Sequence, residues 1–119
     1  MRAAAVAALL LGLAAPASPQ GALGELAGAL AREAVRQAGG RPLELSPAID
    51  RTGRGAGLAL DFDEVLRTRV AGIARLASEG PRLQVQPVLA DAPGRLIVSA
   101  RLVAQPEGRL EDLVSLSVE

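Results

Sequence analysis

The chain has 119 residues, half of them hydrophobic, equal numbers of acidic and basic side chains, and no Cys, His, Trp or Tyr. All 13 basic residues are arginine. This removes thiol nucleophiles, Ser–His and Ser–Lys arrangements and the usual zinc ligands, so no cofactor is expected. A neutral chain with a single aromatic, Phe62, also advertises neither nucleic acid nor an acidic membrane surface.

The amino terminus reads as an address. Met1-Arg2 precedes an unbroken small and apolar run from Ala3 to Ala15, followed by Pro16-Ala17-Ser18-Pro19-Gln20, with Ala15 and Ala17 at the A-x-A positions. This is the pattern of a secretory signal peptide cleaved after Ala17. The apolar run is too short to span a bilayer, which takes roughly 20 residues, so residues 18–119 carry no membrane span. Without cysteine there is no lipid attachment site, and without a twin-Arg pair general export is the simpler route. Arginine-only basicity with abundant Ala, Gly, Pro and Leu matches high-GC codon usage, which implies a bacterial periplasmic or secreted protein. Residues 18–119 suffice for one small domain.

Ser18 to Ala22 is expected to be loose. Leu23, Leu26, Ala27, Leu30, Ala31, Ala34 and Val35 then fall at helical spacing, and Gly39-Gly40 ends the helix. Leu43 and Leu45 alternate with polar neighbours, so Leu43 to Ile49 reads as a strand that Pro42 and Pro47 keep short or irregular. A flexible polar loop follows, from Asp50 through Arg51, Thr52, Gly53, Arg54 and Gly55 to Gly57. A second helix is expected over about 60–78, with Asp61 and Glu64 as a capping box and Phe62, Val65, Leu66, Val70, Ile73, Leu76 and Ala77 as its apolar face.

The last third alternates strand by strand. Leu83 to Leu89, Leu96 to Leu102 and Val114 to Val118 are separated by turns at Asp91-Ala92-Pro93-Gly94 and Gln105-Pro106-Glu107-Gly108. The fold class is therefore α/β of the α+β type. It is a two-layer sandwich with two helices on one face of a small, mostly antiparallel sheet that ends in a β-meander. The last strand runs into Glu119, so the chain reads either as a complete small protein or as the amino-terminal domain of a longer one.

No catalytic or metal site emerges. The glycine loop lies where phosphate cradles occur, but it lacks the Gly-Lys-Ser/Thr ending, and Asp61, Asp63 and Glu64 put negative charge where a phosphate needs positive potential. Helix capping explains those carboxylates without a cation. Glu111-Asp112 would point to opposite faces of a strand and reads as a solvated edge. Ser46, Ser78, Ser99, Ser115 and Ser117 have no activating base.

The element order resembles a known group. A helix of the form Leu26-Ala27-x-x-Leu30-Ala31 is followed by a short strand ending near Pro47 and Asp50, a Gly/Thr loop, a Leu/Val-cored helix and a β-hairpin. Over roughly Leu23 to Val118 this resembles the periplasmic α/β domains of the curli-secretion lipoprotein superfamily. That group includes flagellar outer-membrane accessory proteins, activators of penicillin-binding proteins and the amino-terminal domain of TolB. The resemblance implies docking to an envelope protein rather than catalysis. The candidate docking surfaces are the loop from Asp50 to Gly57 and the free edge of the sheet, where backbone pairing can add a strand. Two alternatives stay open: a ligand carrier or enzyme in which Arg51, Arg54 or Arg101 converges with Asp50 or Asp63, and a truncated fragment of a larger exported protein.

Overall fold

The computed structural model describes residues 19–54 and 57–118, so the expected signal segment with Ala15 and Ala17, and Gly55 in the loop, lie outside the described residues. Helix α1 spans Pro19–Ala38 and helix α2 spans Gly57–Ala71. The strands are β1 (Leu43–Leu45), β2 (Ile49–Asp50), β3 (Arg82–Ala92), β4 (Arg95–Gln105) and β5 (Arg109–Val118). They form one five-stranded sheet in which β3 pairs with β1 and β2 on one side and with β4 on the other, and β5 follows β4. β1 and β2 run parallel to β3, while the β3–β4 and β4–β5 pairs are antiparallel, giving the expected meander. Both helices lie on the same face, as the alternation implied.

The core is an aliphatic layer around one ring. Leu23, Leu26, Leu30 and Ala34 of α1 and Phe62, Leu66 and Val70 of α2 meet Leu83, Val85 and Leu89, then Val98 and Leu102, then Val114 and Leu116. Among the described residues no polar or charged side chain is buried. The two hairpins turn at Pro93-Gly94 and Pro106–Gly108, where Gly94 (φ 75°) and Gly108 (φ 74°) adopt the left-handed conformation that L-residues avoid.

Four local expectations are corrected. Pro19 to Ala22 belong to α1 rather than to a loose start, because proline is tolerated in a first helical turn, where its missing N–H has no partner in any case. Helix α2 begins at Gly57 and ends at Ala71, so Asp61 lies inside the helix and the Asp61–Glu64 capping box does not form. Asp63 instead reaches outward, its Oδ1 accepting the Ala48 N–H at 2.8 Å. The apolar period continues past Gly72, but the chain does not stay helical: Ile73 and Leu76 are exposed, and residues 75–77 run alongside β1. Leu43 N–H donates to Arg75 O and Ala77 N–H to Leu43 O, both at 2.9 Å. Finally, the expected strand over 43–49 is two pieces separated by Ser46-Pro47-Ala48.

The break has a cause in the partner strand. The odd residues of β3 direct their backbone groups toward β1 and β2, as Ser46 N to Val85 O (2.9 Å) and Arg51 N to Leu89 O (2.8 Å) demonstrate. Pro87 is the odd residue between them and has no N–H to give. The parallel register slips there, from Leu45 opposite Val85 to Ile49 opposite Val88. A proline inside a central strand is accommodated because its bare nitrogen faces the gap.

Phe62, fully buried, is the one large ring holding α2 to the sheet. Truncation to Ala is expected to cost about 3–5 kcal/mol, a large part of the stability of a domain this small, and urea denaturation will read it as a lowered midpoint at unchanged slope.

Candidate docking surface

The sheet has one covered face and one bare face. On the bare face β3 presents Gln84, Gln86 and Val88, β4 presents Ile97, Ser99 and Arg101, and β5 presents Leu113, Ser115 and Ser117. One end is polar and tied down: Gln84 Oε1 accepts from Gln86 Nε2 at 2.8 Å and from Gln105 Nε2 at 2.9 Å, and Arg82 Nε donates to Glu44 at 2.8 Å. Toward β5 the face turns apolar. Leu113 is 59% exposed and Leu110 46%. A shallow depression of about 300 Å³ lies between Gln86, Val88, Ser99, Arg101, Leu113 and Ser115.

The two sheet edges differ. On the β1/β2 side residues 75–77 cover β1 and prolines interrupt the ladder, whereas nothing described pairs with β5 beyond β4. The antiparallel register sets which groups are free. Even residues of β3 face β4, so even residues of β4 face β5 and take Val114, Leu116 and Val118 as hydrogen-bonding partners. The odd residues of β5 therefore direct N–H and C=O outward. Leu113 N–H is satisfied by Asp112 Oδ1 at 2.8 Å, which leaves Ser115 and Ser117 as an uncharged open edge. Native sheets usually block such edges with charge, proline or a bulge.

Glu111 stays exposed and Asp112 half-buried, in keeping with the solvated edge read from the sequence, but both are tied to other parts of the fold. A β-bulge inserts one extra residue, Glu111, between Asp112 and Leu110, the partners of Leu102 and Val103. Glu111 takes a two-pronged bond from Arg41, with Nη2–Oε1 at 2.8 Å and Nη1–Oε2 at 3.1 Å, and Asp112 accepts from Gln37 Nε2 at 2.8 Å. Arg41 also donates to Ala38 O and Gln37 O, so one side chain caps the end of α1 and locks it to the charged half of β5. Sequence spacing gave no sign of these contacts, whose partners lie some seventy positions apart.

The loop from Asp50 to Gly57 is also more structured than expected. Asp50 belongs to β2 and its Oδ1 accepts from Thr52 N–H (2.7 Å) and from the Thr52 hydroxyl (2.5 Å). Arg54 N–H donates to Thr52 Oγ1, and the Arg54 guanidinium grips Asp91 at 2.7 and 3.0 Å. Gly57 opens α2, while Gly53 and Arg51 remain exposed. Of the groups named for a ligand site, Arg54 pairs with Asp91, Asp63 accepts from the Ala48 N–H, and Arg101 stands on the bare face of the sheet. Among the described residues no three acidic side chains gather as a cation site, and no helix is long and apolar enough to cross a membrane.

No family model and no curated protein matches the chain. Two solved structures are similar to it, the LpoB C-terminal domains from Escherichia coli and Salmonella enterica. The first has a TM-score of 0.59 at 14% identity, covering 84% of this chain and 97% of that one. The second has a TM-score of 0.56 at 14% identity, covering 83% and 96%. The likeness is one of fold. It agrees with the α+β sandwich read from the sequence and does not extend to the superfamily named there.

The ionic tethers carry a pH signature. Asp50 is held below its ordinary value of 3.8 by the Thr52 hydroxyl and N–H, and Glu111 below 4.5 chiefly by Arg41. Burial pushes Glu33 up, but Arg36 and Gln37 outweigh it and leave it lowered. Each carboxyl binds its proton more weakly when folded, so each stabilises the fold fully above the ordinary carboxylate range and ceases to do so as pH falls through its lowered value. Between about pH 6 and about pH 3 the thermal midpoint is expected to fall, and an Asp50→Asn/Glu111→Gln variant to fall less steeply, as scanning calorimetry will measure.

Proposed function

We propose that this is an exported, non-catalytic docking module of the bacterial cell envelope, and that it captures another envelope protein by adding a strand at Ser115–Ser117 against the bare face beside it. The observation that carries this reading is the open β5 edge next to exposed Leu113 and Leu110. Backbone pairing gives such a contact its affinity, and the apolar side chains flanking the edge give it selectivity. The absence of Cys, His and Lys supports binding over catalysis. The leader pattern supports a periplasmic or secreted location, and the fold shared with the LpoB C-terminal domains supports placement among α/β domains of this build. Membership of the curli-secretion superfamily is proposed on the element order alone. The loop from Asp50 to Gly57 is the second candidate surface, favoured by exposed Arg51 and Gly53 on a turn that Asp50 and Asp91 hold in shape.

Ser115→Pro separates docking from folding. The Ser115 N–H points out of the sheet, so proline removes a free donor without breaking a β4–β5 bond. The variant is expected to keep its urea midpoint. In envelope fractions, a photo-crosslinker at Leu113 should trap one discrete protein in the parent and lose it in the variant. Equal trapping by parent and variant would sink the edge reading. Trapping that is instead lost when residues 53–57 are shortened would move the site to the loop.

A further inference from the structure

The hollow on the bare sheet face holds one charge and no counter-charge. The register lays Val88, Ser99 and Ser115 in one row across β3, β4 and β5, and Gln86, Arg101 and Leu113 in the next. Short side chains beside long ones leave the depression of about 300 Å³ that these six residues line. Among the described residues no strand lies beyond β5, so the hollow opens over Ser115 onto the free edge.

Arg101 stands where a cation is least matched by its own chain. Its cross-strand neighbours are Gln86 and Leu113, although an exposed sheet commonly sets opposite charges across from each other. Glu44, on the same face, is held by Arg82, while Glu111 and Asp112 are bound by Arg41 and Gln37 of the helical side. Among the described residues the Arg101 side chain enters no ion pair. The second depression of the molecule differs: Arg67 lines it, but so does Glu44, and that hollow carries both signs.

We infer that the strand added at β5 is acidic, an extended segment that sets a glutamate or aspartate side chain over Ser115 and into the hollow, where it meets Arg101. The inference rests on the reading of β5 as the docking edge. An added strand lies about 4.8 Å beyond β5 and so about 10 Å from β4. A guanidinium and a carboxylate leaning toward each other across a serine cover that span, whereas opposite Leu113 the leucine side chain stands between them. The bound strand shields the pair from water, and the charge match fixes which residue of the partner sits opposite Ser115.

The probes are three seven-residue peptides of threonine with valine at the second and sixth positions. They differ at the fourth position, which is glutamate, glutamine or phenylalanine. Each is titrated into the protein at low ionic strength while the Ser115 and Ser117 amide signals are followed by NMR. The glutamate peptide is expected to bind about fivefold more tightly than the glutamine peptide, a preference that shrinks as salt is added. Arg101→Gln should erase the preference, Arg101→Glu should reverse it, and Arg67→Gln on α2 should leave it, all at the parent urea midpoint. Equal binding of the glutamate and glutamine peptides, or tighter binding of the phenylalanine peptide, would overturn the acidic strand. If Ser115→Pro still abolishes that binding, the edge reading survives without it. Binding by none of the peptides also overturns the inference and leaves the edge reading to the Leu113 crosslink. Protection of Ser115 that grows with protein concentration alone gives the edge to a second copy and overturns both.

Discussion

The fold depends on close approach of α1 to the sheet. A chain with one aromatic ring has few large side chains to fill the space between layers, so the layers must come together over small ones. Helix α1 meets that constraint with Leu23, Leu26 and Leu30 as its bulk and Ala27, Ala31, Ala34 and Ala38 as its contact surface, all buried. Under α2 the core is filled by Phe62, Leu66 and Val70. Arg41 then fixes the far end of α1, binding its last carbonyls and Glu111 together. The same preference for small residues puts Gly24 and Gly28 where α2 crosses, which is why an arginine from one helix can lie flat on the other.

Two helices cover one face of the sheet, and among the described residues no third layer covers the other. The bare face is made tolerable at one end by a glutamine cluster and the Arg82–Glu44 pair, and left apolar at the other by Leu110 and Leu113. The edges divide the same way. The β1/β2 edge is broken at Pro87 and covered by residues 75–77, while β5 ends in an uncharged run from Leu113 to Val118 with alternate backbone groups free. Protection concentrated on one side and exposure on the other suit a surface kept for a partner.

Much of this was legible because periodicity is local. The alternation Leu96, Val98, Ala100, Leu102 and the series Val114, Leu116, Val118 specified strands and faces, and the Leu23–Val35 stripe specified α1. The errors arose where a distant contact overrode a local pattern. Ile73, Leu76 and Ala77 continue the α2 period, yet β1 needed a neighbour and recruited residues 75–77 as an extended segment. Asp63 had the look of a helix-start acid, but Ala48 N–H claimed it. The bonds that tie down Glu111, Asp112 and the Asp50 loop were invisible because Arg41, Gln37 and Asp91 stand far away in sequence. Which strand forms an open edge is a property of sheet order, and no spacing within β5 encodes it.

Amide hydrogen exchange along β5 tests the central claim most directly. If one edge of the sheet is free, protection should alternate: Val114, Leu116 and Val118 slow, Ser115 and Ser117 fast, with the fast pair slowing only when a partner is bound. Uniform protection of all five amides in the isolated protein would mean that the edge is already occupied, and would contradict an account in which β5 waits for a strand from another protein.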